Sequence, residues 1–92
     1  MQTIKVTGQL FNTNGCALTL ILMRDGNVVD VSKRYSSFED SHVLESGTYL
    51  LLVQGATSGS IRITVSGNVV TVRPSPTQDF QQEIWGRFII SL

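Results

Sequence analysis

The sequence predicts an all-β fold, a small antiparallel β-sandwich of about seven to eight strands. Three observations carry this. Short runs of alternating or branched apolar residues recur along the 92 residues. Turn signals separate them: Asn12-Thr13-Asn14-Gly15, Asp25-Gly26, Ser46-Gly47, Ala56-Thr57-Ser58-Gly59, Gly67-Asn68 and Pro74-Ser75-Pro76. No long segment carries helical periodicity.

Ile4, Val6, Gly8 and Leu10 alternate with Lys5, Thr7 and Gln9, which predicts a half-buried strand over residues 3–11. Cys16–Arg24 follows. Leu18, Leu20 and Leu22 form one of its faces, and Ala17, Thr19, Ile21 and Met23 form the other. Asp25-Gly26 suits a two-residue hairpin turn, in which both central positions need positive φ. The next strand then runs from Asn27 to about Arg34, with Leu22 expected opposite Val29 and Leu20 opposite Val31.

Tyr35 to Val43 is polar and reads as a loop, entering a short edge strand at His42-Val43-Leu44. Thr48 to Gln54 reads as a strand inside the sheet. Tyr49, Leu51 and Val53 lie on one side and Leu50 and Leu52 on the other. Ala56–Gly59 is expected to turn the chain into Ser60–Ser66, with Ile61, Ile63 and Val65 inward. Gly67-Asn68 reads as a second hairpin, into a strand from Val69 to Arg73. Ser75 and Pro76 suit the start of a helical turn reaching Gln82. The last strand is expected over residues 84–92, with Gly86 marking a bulge or a close approach.

The length fits a single domain spanning residues 1–92. Apolar residues make up 41% and charged residues 15%, which suits a packed core and excludes disorder. Seven basic and seven acidic residues cancel. No nucleic-acid partner is therefore expected, and no footprint for an anionic membrane. The longest apolar run, Leu20-Ile21-Leu22-Met23, is too short for membrane insertion. Met1–Lys5 is not a secretory leader. The expected location is cytoplasmic, or extracytoplasmic if a leader has been removed. Cys16 is the single cysteine, so it forms no internal disulfide and does not report the redox compartment.

The order of features in residues 4–55 resembles a known family. A strand with a late Gly is followed by a hairpin-linked pair, then a polar segment carrying Phe38. Then comes Leu44-x-x-Gly47-Thr48-Tyr49-x-Leu51-x-Val53-x-Gly55. This is similar to the prealbumin-like (transthyretin-like) sandwiches, notably the carboxypeptidase regulatory-like domains. The resemblance implies that the Gly-x-Tyr strand shares a sheet with Cys16–Arg24, Asn27–Arg34 and Ser60–Ser66. It also implies an accessory module for stability, protein contact or carbohydrate contact. The Pro-Leu-x-Gly-Val segment that usually precedes the second strand is absent here. Tyr35-Ser36-Ser37 stands where a Thr-x-Asp-x-x-Gly turn is usual.

No catalytic residue, metal ligand set or cofactor motif is expected. His42 is the only histidine, and one imidazole among the carboxylates Glu39, Asp40 and Glu45 is not a metal-ligand spacing. Phosphate loops, Cys-x-x-Cys pairs and nucleophile elbows are absent. Cys16 reads as a small buried hydrophobe. Trp85 is expected in the core. If the chain takes a sugar or other small ligand, the candidate is the loop with Tyr35, Phe38, Glu39, Asp40 and His42.

The sharper candidate is a second apolar face made by Ile21, Met23, Leu50 and Leu52. If their two strands are neighbours, these side chains form one patch. Either residues 80–92 fold over it or it is an interface. The sequence therefore points to a non-catalytic structural or protein–protein interaction module, with a protein partner or self-association. Carbohydrate binding in a surface or secreted protein is the alternative.

Overall fold

A computed structural model describes residues 1–69 and 71–92. The strands are β1 (Gln2–Phe11), β2 (Cys16–Arg24), β3 (Asn27–Arg34), β4 (Phe38–Leu44), β5 (Thr48–Gly67), β6 (Thr71–Arg73) and β7 (Thr77–Ser91). All pairings are antiparallel. The order is β3-β2-β5-β1-β4, with β7 on the other edge of β5 and β6 beyond it.

The expected two-sheet sandwich is corrected to one seven-stranded sheet, strongly curled into a half-barrel. The reason lies in residues 56–59. They do not reverse the chain. β5 continues through them and exchanges one neighbour for another. Cys16–Met23 of β2 pairs with its first half and Ile4–Phe11 of β1 with its second. β7 follows β5 along both halves, so the two halves of the sheet never separate. The β5–β7 register shifts between Ala56 and Ser60, where Gln82 adopts a φ of 61°. Extra residues on one strand bend and twist a ladder, and here they curl the sheet. Thr57 is buried at the bend and donates to the Gly15 carbonyl at 3.1 Å.

The curl wraps one face of the sheet around the core. Ile4, Val6, Leu18, Leu20, Leu22, Leu44, Tyr49, Leu51, Val53, Ile61, Ile63, Val65, Ile84, Phe88 and Ile90 are buried there. The inward alternation expected for residues 49–53 and 61–65 is present. The Gly-x-Tyr strand does lie beside β2. Its other neighbour is β7, however, and the segment Ser60–Ser66 is its own continuation.

Other expectations are corrected by the same topology. Asp25-Gly26 does form the β2–β3 turn, closing Arg24 on Asn27 with positive φ at both residues. A bulge at Leu22/Met23 then shifts the register. Leu22 faces Asp30, Leu20 faces Ser32, and Val31 faces Ile21. β3 is an edge strand, where an irregularity and polar inward side chains blunt further pairing. Gly67-Asn68 is not a hairpin turn. Gly67 pairs with Ile4, Asn68 donates to the Thr3 carbonyl, and β6 pairs with the end of β7. The expected strand Val69–Arg73 lies partly outside the described residues, at Val70. Thr77–Gln82 is strand, not helix, because it pairs with β5. Residues 38–44 form a longer edge strand than expected.

Candidate interaction face

Register places the four candidate residues together. Ile21 stands opposite Leu52, and Met23 opposite Leu50. Both pairs extend sideways across the sheet. One rung reads Val31, Ile21, Leu52 and Arg87; the next reads Val28, Met23, Leu50, Ile89 and Arg73. A third rung is Lys33, Thr19, Gln54 and Trp85. Alternation sends all of these to the convex face, away from Leu20, Leu51 and Phe88. The four central side chains are half-buried by one another, while Val28 and Val31 are exposed.

Residues 80–92 do not cover this face. They form the body of β7, beside β5 in the same sheet, with Ile84, Phe88 and Ile90 turned into the core. Gly86 shares that inward parity. A Cβ added there would sit 2.6 Å from the Phe80 ring, so the glycine is where that ring packs. The close approach expected at Gly86 is thus to a side chain. The same parity turns Trp85, Arg87 and Ile89 outward, and Trp85 is 73% exposed where the core was expected. Sequence reading missed Trp85, Ile89 and Val31 as members of the face. Their alternation against Phe88 and Ile90 was the available signal.

The convex face of the other half-sheet is largely polar, Phe11 and Val43 apart, and its charges are paired. Lys5 pairs with Glu39 at 2.8 Å, and Arg62 with Asp79 at 2.8 Å. The Arg62 hydrogen bond holds the Asp79 carboxyl below its ordinary range, and Asp79 in turn raises the guanidinium.

The second candidate group divides. Tyr35 is 64% exposed in the bend after β3, its carbonyl accepting from the Cys16 N–H at 3.0 Å. Phe38, Glu39, Asp40 and His42 lie on β4, not in a loop. Phe38 packs where a Gly8 side chain would be, with the Arg34 guanidinium 5.6 Å from its ring centre. Glu39 points the opposite way, to Lys5. Asp40 is held by Arg34 in a two-nitrogen ion pair. His42 and Asp40 line a narrow cleft between β3 and β4 with Asp30 and Ser32, over a floor of Val6, Leu20, Leu22 and Leu51. Its volume, about 10 Å³, is room for a single water. Among the described residues no three His, Cys, Asp or Glu side chains group as metal ligands. Cys16 is half-buried, its thiol directed at the Arg34 carbonyl at 3.5 Å, and burial pushes its pKa up. Such a thiol is a poor nucleophile at neutral pH.

No family model, curated protein or solved structure matches the chain.

Proposed function

We propose that the chain is a non-catalytic protein-interaction module that docks a partner on the convex face of β2, β5 and β7. The observation that carries this is the pairing of Ile21 with Leu52 and Met23 with Leu50, on a face that the chain's own C-terminal strand leaves open. Completing the burial of one such side chain contributes a part of the ~1.5–3 kcal/mol that full burial is worth. Trp85 beside them supplies the aromatic anchor typical of binding hot spots.

The test is selection of peptides from a random display library against the immobilised chain. Selected peptides should bind the parent and lose binding to Leu50→Lys with Leu52→Lys, while that variant keeps its melting transition. Peptides indifferent to both substitutions would refute the assignment. His42→Ala should leave peptide binding unchanged.

A carbohydrate reading is favoured by a different observation. Tyr35 and Trp85 are both exposed, and the Thr19 and Gln54 side chains lie on the rung between Lys33 and Trp85. Trp85 is the only tryptophan, so its fluorescence reports directly. An emission spectrum unmoved by a panel of soluble polysaccharides would remove this reading.

A further inference from the structure

The ion pairs among the described residues sort the seven cations unevenly over the surface. Lys5, Arg24, Arg34 and Arg62 are each within 4 Å of a carboxylate. Lys33, Arg73 and Arg87 make no such pair among the described residues. All three have the parity of the convex apolar face. Lys33 stands opposite Thr19, Arg87 opposite Leu52, and Arg73 opposite Ile89. Arg73 and Arg87 border one shallow depression with Ile89 at its side. Lys33 lies at the other lateral edge. Two carboxylates lie near this face. Asp25, at one end, is 3.8 Å from Arg24. Glu83 lies beyond Trp85, opposite Ala56, at the far end.

On the reading that this face docks a protein, we infer that its partner is an acidic, apolar segment of another protein, not a second copy of this chain. Two copies packed face to face about an in-plane two-fold axis bring cation-bearing edges together. Lys33 then meets the arginine edge, or each edge meets itself. Like charges so placed oppose association. A segment with apolar side chains between carboxylates would cover Ile21, Leu50 and Leu52 and neutralise both edges. β3 and β6 lie four strand spacings apart, roughly 19 Å at ~4.8 Å each. An extended chain crosses that distance in about six residues.

The probes are a short valine–leucine peptide with glutamates at both ends and the same peptide with lysines. Binding is read by Trp85 fluorescence at low salt. The glutamate peptide should bind at least about tenfold tighter, which is the combined effect of a few exposed ion pairs. The preference should shrink in high salt. Arg73→Glu with Arg87→Glu, both at exposed positions, should reverse it. Equal binding of the two peptides, both abolished by Leu50→Lys with Leu52→Lys, would overturn the acidic partner and leave the docking face standing. A parent dimer converted to monomer by those lysines would overturn it in favour of self-association. Tighter binding to phosphatidylserine vesicles than to the glutamate peptide would overturn it in favour of a membrane. No binding by either peptide, with a monomeric parent, would overturn both readings.

Discussion

Gly55→Ala tests how the strands meet at the bend. Gly55 sits between Leu18 of β2 and Ile84 of β7, with a φ of 155°. A Cβ built there runs into the Ala17 carbonyl oxygen and lies 2.9 Å from its carbon and 3.0 Å from the Leu18 Cα. These are backbone atoms of a paired strand and have no rotamer by which to yield. Overpacking costs about 1–3 kcal/mol. A side chain held at this φ, which glycine adopts far more readily than other residues, adds about 1–2 kcal/mol. The expected loss is about 2–5 kcal/mol, a large part of the ~5–10 kcal/mol that holds a small domain. With an m-value near ~1 kcal/mol/M, the urea midpoint should fall by roughly 2 M or more. Gly26→Ala is the control. Its φ is 77°, but nothing lies within 4 Å of the added atom, so only the dihedral term of ~1–2 kcal/mol remains. Equal midpoints for the two variants would refute the close packing of β2 against β5.

Tyr49→Ala and Leu51→Ala remove buried side chains from the strand that organises the core, and each should cost about 2–5 kcal/mol in urea denaturation. Tyr49 also loses the bond from its hydroxyl to the Glu45 carbonyl, 2.9 Å long, which Leu51 does not have. The Asp79 carboxyl, followed by NMR, should titrate below the ordinary aspartate value, and Arg62→Gln should return it upward. Because its pKa is depressed, whatever stability the pair contributes is present above the ordinary aspartate range and is lost as pH falls through the lowered value. A midpoint unaffected by Arg62→Gln would show the pair to be broken in solution.

Strand existence was legible where alternation was strong. Cys16–Arg24 and Asn27–Arg34 have the ends that their residues imply. The face of β2 and β5 was legible for the same reason, since Ile21, Met23, Leu50 and Leu52 alternate with core leucines. What failed was connectivity. Ala56-Thr57-Ser58-Gly59 has turn composition, yet it bends a strand without ending it, because β7 continues alongside and stitches both halves. Local sequence cannot distinguish a turn from a bend whose partner lies over twenty residues away. The full length of β4 is not legible because Glu39, Asp40 and Ser41 have the composition of a loop. On an edge strand such residues satisfy both an outward ion pair and the Arg34 contact. The β3 register is not legible because the extra residue, Val29, sits beside Val28, and either valine fits opposite Met23 equally well by composition.

The most direct test of the account is a map of amide chemical shifts on the nitrogen-15-labelled chain as the glutamate-ended peptide is added. Shifts should concentrate at Ile21, Met23, Leu50, Leu52, Trp85 and Ile89, with Phe38–His42 unmoved. Shifts centred on Tyr35 and the Asp40–His42 cleft, or no shifts at all, would contradict it.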